Sequence, residues 1–126
     1  MSKKRDFNLY LKDILDSIKR IEKYTKELDI NDFYNNDMIN DAVVRNLEII
    51  GEAAKNFPTD LRKLAPEIPW KKIIGFRNIV VHEYFSVDLS NIWFIVSQQL
   101  PMLKTQIKSL QKESKIFQHK ERGISD

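Results

Sequence analysis

Between Phe7 and Leu28 the chain reads FNLYLKDILDSIKRIEKYTKEL, with apolar positions recurring every three or four residues. Phe7, Tyr10, Leu11, Ile14, Leu15, Ile18, Ile21, Tyr24, the methyl of Thr25 and Leu28 form one stripe. That period predicts a long amphipathic helix with one face in a core. DINDFYNND then breaks it with residues that suit turns and caps. Asn31 is placed to cap a short turn holding Phe33 and Tyr34, and Asp37 to cap the next helix. That helix, MINDAVVRNLEIIGEAAKNF, sets Met38, Ala42, Ile49, Ala53 and Phe57 on one face, with Ile39, Val43, Ile50 and Ala54 beside it. So wide a stripe predicts burial on more than one side, and Pro58 ends it. Gly51 sits inside this pattern, where glycine costs about 1 kcal/mol against alanine. Close approach of a neighbouring helix is the favoured reason.

PTDLRKLAPEIPW is a proline-punctuated connection with room for one short turn at Leu61–Leu64. Pro69 precedes Trp70, a favourable helix start. WKKIIGFRNIVVHEYF is expected to form one continuous helix from there. Ser86 or Asp88 can cap the last helix, whose stripe is Leu89, Ile92, Trp93, Val96, Leu100, Leu103, Ile107 and Leu110. Pro101 should kink it. From Lys112 the tail is polar and expected to fray. No strand pattern, repeat or low-complexity tract interrupts the sequence. The expectation is an all-α, up-and-down four-helix bundle with one or two short extra turns. It is a single domain over residues 1–126 with its core at about 7–111.

Composition narrows the chemistry. There is no cysteine, which removes disulfides, thiolate nucleophiles and Cys-based metal sites. The N-terminus MSKKRDFNLY is basic, but no apolar secretory segment follows. No apolar run approaches the roughly 18–20 residues of a membrane span, so a cytoplasmic protein without a membrane partner is expected. The net charge of +3 permits an anionic partner without requiring one.

The polar residues of RNIVVHEYF, Arg77 to Phe85, stand out in an otherwise apolar stretch. On a helix, Asn78 and His82 are four apart and adjacent, so Asn78 can orient the imidazole. Arg77 and His82 are five apart, about 140° round an ideal helix, so they do not face each other. They converge only if the helix distorts, if Arg77 reaches round, or if another chain completes the site. One histidine without a second ligand at i+3 or i+4 does not make a metal shell. Neither nucleophile-elbow glycines nor a phosphate-binding glycine loop is present. Cleavage of RNA by its own 2′-hydroxyl does suit an arginine and a histidine. Histidine can act as base or acid, and arginine can hold the phosphate oxygens. With His119 in the tail, acid and base need two copies of His82, which argues for a two-fold dimer. On the preceding long helix, Arg45 and Glu52 share a face with Glu48 between them. They make either a structural ion-pair row or part of a cleft beside Arg77. The plainest reading of the motif helix remains a half-buried histidine satisfied by Asn78, with Arg77 a surface charge.

Arg77, four residues, His82, one residue and Tyr84 match the R-x4-H-x-Y motif, and here the chain resembles HEPN-domain toxins. It is most similar to the ribonuclease component of the HepT–MntA toxin–antitoxin modules. YLKDILDSIKRIEKYT, DAVVRNLEIIGEAAKNF, PEIPWKKIIGFRNIVVHEYF and VDLSNIW follow the family's blocks in order, from about residue 7 to 110. The resemblance implies a dimerising helical bundle that cleaves RNA, tRNA or mRNA, with no metal or other cofactor. Arg77 and His82 would be catalytic and Asn78 supporting. Tyr84 would be the tyrosine that an MntA-like nucleotidyltransferase antitoxin adenylylates. Arg45 and Glu52 remain weaker cleft candidates. The alternative is a non-catalytic helical module that binds a nucleotidyltransferase, a nucleotide or RNA.

Overall fold

The computed structural model describes residues 6–78 and 88–121, with side chains to residue 114. Among these residues there are helices and turns and no strand. Helix α1 spans Phe7–Thr25, α2 Ile30–Tyr34, α3 Asp37–Asn56, α4 Thr59–Arg62 and α5 Trp70–Ile74. Helical backbone resumes at residues 76–78. Helix α6 spans Leu89–Phe94, a π-turn covers Ile95–Gln99, and α7 runs over Leu100–Glu121. The short helices α2 and α4 are extra turns beside the long helices α1, α3 and α7. No helix among the described residues is long and apolar enough to cross a membrane.

Helix α1 is the central element, packed against both α3 and α7. The periodic stripe becomes its buried face, with Leu11, Ile14, Ile18 and Ile21 fully enclosed. Each such side chain contributes about 1.5–3 kcal/mol of hydrophobic stabilisation. Phe7 meets Phe57 edge to face at 6.3 Å, so the start of α1 lies beside the end of α3 and the two run antiparallel. Glu22 pairs with Lys104 at 2.9 Å, while Ser114 Oγ lies 2.9 Å from Asn8 Oδ1. Those two contacts make α7 antiparallel to α1 as well. Buried Ser114 also shows that α7 continues as packed helix past Lys112, where fraying was expected.

Several local expectations shift by a residue or two. Asp29, not Asn31, caps α2, and it shares a capping box with Asp32. Asn36, not Asp37, caps α3 by accepting from the Ile39 N–H at 3.0 Å. Each cap is the nearest upstream side chain with extended backbone, a conformational choice that composition does not reveal. Asp88 caps α6, accepting from the Ser90 and Asn91 N–H groups. The short turn after Pro58 covers Thr59–Arg62, earlier than Leu61–Leu64. Met38 is 83% exposed and does not join the buried face of α3. That face centres on Val43, Leu47, Ile50 and Ala54.

Pro101 acts upstream of itself. It has no N–H for the carbonyl at Ser97, and its ring crowds that carbonyl. The backbone responds with the π-turn, where the Leu100 N–H bonds Ile95 O, and the Ser97 hydroxyl donates to Trp93 O at 2.7 Å. The extra residue rephases the helix, so Ile95 is buried with Ile92 and Leu100.

Candidate functional site

The segment bearing Arg77 is fixed by aromatic packing at its start. Trp70 stacks on Phe57 at 5.4 Å with nearly parallel rings, and its indole N–H donates to Ala65 O at 3.1 Å. Arg62 lies over Trp70, 5.8 Å from the ring centroid, and its guanidinium donates to Ala54 O and Lys55 O near the end of α3. Ile73 and Phe76 are buried behind it. The helix expected to run unbroken from Trp70 is instead interrupted at Gly75, where α5 ends. The Gly75 N–H bonds Lys71 O, and the Asn78 N–H reaches back to Gly75 O at 2.9 Å.

Gly51 determines how closely this segment approaches α3. A β-carbon there would stand 2.8 Å from Arg77 N, 3.0 Å from Arg77 Cβ and 3.1 Å from Ile73 O. The close helix approach expected at Gly51 is therefore present, and the backbone that closes in is that of Arg77. The next residue, Glu52, forms an ion pair with Arg77, its Oε2 2.8 Å from Nε. The pair is more than a third exposed on both sides, which limits its contribution to stability to about 0–1 kcal/mol. Its consequence is geometric. The carboxylate lies against the Nε of the guanidinium and ties the Arg77 side chain to α3.

These residues border a cavity of about 450 Å³ between α1 and α3. Arg77, Glu52, Glu48 and Arg45 line one side, Tyr10 and Asp13 of α1 another, and Ile49, Ala53 and Asn56 complete it. Arg45 pairs with Glu48, the ion-pair row expected from spacing. Glu52 does not join that row and pairs with Arg77 instead. Asn78 is exposed beside it. His82 and Tyr84 lie outside the described residues. Tyr10 and Asp13 were not singled out by sequence. Tyr10 reads as an ordinary member of the α1 stripe, and only the packing of α1 on α3 brings it to the cavity.

Comparison with known proteins gives the same direction. The chain matches the HepT-like family, described as ribonuclease HepT-like, over residues 14–110. The chain belongs to the HepT-like family. It is 44% identical over 105 residues to "Putative RNase MJ1380" of Methanocaldococcus jannaschii, covering 83% of this chain and 96% of that protein. It is 42% identical over 109 residues to "Probable ribonuclease HepT" of Thermococcus cleftensis, covering 86% of this chain and 99% of that protein. No solved structure matches it. As a HepT-like chain it keeps the all-α bundle expected from its periodicity, and its family match spans the cavity residues of α3 together with Arg77.

Proposed function

We propose that this chain is the toxin of a toxin–antitoxin module, an endoribonuclease that cleaves RNA without a metal ion. The observation that carries the reading is the Glu52-held Arg77 guanidinium, presented at the rim of an open cavity in a HepT-like chain. Its relatives' names point to RNA as the substrate.

In this reading the Arg77 NH₂ groups bind the non-bridging oxygens of the scissile phosphate and stabilise the charge that builds there. One His82 removes the proton of the 2′-hydroxyl as that oxygen attacks phosphorus. A second His82 gives a proton to the departing 5′-oxygen as the P–O5′ bond breaks. The products are a 2′,3′-cyclic phosphate and a 5′-hydroxyl. Since one chain offers one such histidine, the working unit is a homodimer with its site near the two-fold axis. Asn78 supports the motif beside Arg77. A nucleotidyltransferase antitoxin of the MntA kind neutralises the enzyme by adenylylating Tyr84. The added phosphate charge and bulk beside a cationic site exclude the RNA backbone.

The test is expression of the chain with and without a nucleotidyltransferase encoded beside it. Growth arrest is expected from the chain alone and not from Arg77→Ala or His82→Ala. Coexpression should restore growth and increase the mass of the Tyr84 peptide by one or more AMP units. Full neutralisation with an unmodified Tyr84 would remove adenylylation from the account. No growth arrest on expression, with binding that survives Arg77→Ala and His82→Ala, would favour the non-catalytic binding module.

A further inference from the structure

From Leu89 to Leu103, fifteen consecutive residues carry no charge, three times the next longest uncharged run in a chain that is 31% charged. The run covers α6, the π-turn and the first turn of α7. Its inward side chains, Ile92, Ile95, Leu100 and Leu103, are buried in the core, which accounts for their apolar character. The core does not require the outward positions to be uncharged. On α1 the exposed positions include Lys12, Lys19, Arg20, Glu22 and Lys23. Here they include Phe94, Gln98 and Met102, spaced four apart, with Phe94 51% and Met102 65% exposed. These three border a groove of about 280 Å³ that Ile73 and Phe76 also line, from the segment that leads into Arg77. Glu67 and Lys72 bring one charge of each sign to the same groove. A surface depleted in charge and carrying exposed aromatic and methionine side chains has the composition of an interface core.

We infer that this groove is the face through which two copies of the chain associate, Phe94 and Met102 of each copy entering the groove of the other. The choice of a second copy as occupant rests on the ribonuclease reading, which needs two His82 side chains near one axis. The groove adjoins the Arg77 segment through Ile73 and Phe76, so an axis passing beside it brings both motif segments together. The face is also self-complementary. A two-fold contact sets one patch against its own copy, so the patch must contain both halves of every contact. This one holds the projecting side chains and the hollow that receives them. It also holds both signs of charge, so Lys72 of one copy meets Glu67 of the other, twice over. A face built for a partner of opposite charge would carry a single sign.

The experiment is sedimentation velocity of the full-length protein over a concentration series. The parent is expected to sediment as a dimer. Phe94→Glu and Met102→Glu should each weaken association by about thirtyfold or more, the effect of losing a residue at the centre of an interface. Both side chains are more than half exposed, so both variants keep the fold, which circular dichroism checks. Lys72→Glu should weaken the dimer several-fold, because the contact occurs twice, and Glu67→Lys added to it should restore the pairing. A monomeric parent, a dimer unmoved by both Phe94→Glu and Met102→Glu, or a double exchange no tighter than Lys72→Glu alone overturns the interface. So does loss of nucleotidyltransferase binding in these variants while the dimer persists, which assigns the face to the antitoxin. RNA cleavage by a monomeric parent would leave the ribonuclease reading standing and remove the interface. A dimer split by Phe94→Glu, in a parent that cuts no RNA, would do the reverse.

Discussion

Gly51→Ala tests whether the backbone around Arg77 is set by contact with α3. Alanine is the better helix former by about 1 kcal/mol, so in open space the substitution would stabilise the protein. Here the new methyl meets Arg77 N at 2.8 Å and Ile73 O at 3.1 Å, both backbone atoms that cannot swing aside. Ordinary contact begins near 3.4 Å, so the Arg77 segment must back away from α3. Overpacking of this kind costs typically about 1–3 kcal/mol. Set against the helix-propensity gain, the expected balance is a loss of about 1 kcal/mol. The same displacement separates the Arg77 guanidinium from Glu52 and, in the proposed mechanism, moves it relative to the scissile phosphate. A shift approaching 1 Å at a reacting group can cost on the order of a hundredfold, so a fall of about ten- to a hundredfold in RNA cleavage is expected. Urea denaturation and a single-turnover cleavage assay on the same preparation read both effects. A Gly51→Ala protein that is more stable than the parent and equally active would refute the close-approach argument.

Other substitutions probe the supports of the site. Glu52→Gln should leave stability within about 1 kcal/mol, because the pair is exposed, yet lower cleavage by loosening Arg77. Equal cleavage across substrates would show that Glu52 does not position it. Arg62→Ala removes two donors to the end of α3 and the cation over Trp70, and should cost about 1–2 kcal/mol in chemical denaturation. Phe33→Ala opens a fully buried site against Trp93 and should cost about 3–5 kcal/mol by the same measure. The Asp88 carboxyl is held below its ordinary range, first by the Ser90 hydroxyl and then by the Asn91 N–H. A lowered folded-state value means its stabilisation is present above the unfolded aspartate range and is lost as pH falls through the folded one. Thermal melts of Asp88→Asn should therefore show a weaker acid dependence than the parent below about pH 4.

The stripes of α1 and α7 were legible in sequence because a period near 3.6 maps directly onto a buried helix face. Gly51 was legible for a related reason: a glycine that interrupts good helical pattern needs a neighbour to justify it. Caps were displaced by one or two residues, since the DINDFYNND stretch offers many side chains able to cap and backbone conformation chooses among them. The break at Gly75 was missed because WKKIIGFRN keeps an apolar rhythm through it. Pro101 announced a distortion, but not that the helix would absorb it as a π-turn upstream. At the site, Arg45 and Glu52 were legible as residues of one face of α3, and the pairing of Glu52 with Arg77 required the fold. Tyr10 and Asp13 carried no signal of their own, because a helix stripe looks the same whether it faces a core or borders a cavity.

We propose that Arg77 and His82 cleave RNA by internal attack without a metal. The most direct measurement is the chemistry of the ends left when purified protein is incubated with RNA in EDTA. Cleavage leaving 2′,3′-cyclic phosphate and 5′-hydroxyl ends, lost in Arg77→Ala and in His82→Ala, is the predicted result. Cleavage that EDTA abolishes, or that leaves 3′-hydroxyl and 5′-phosphate ends, would contradict it.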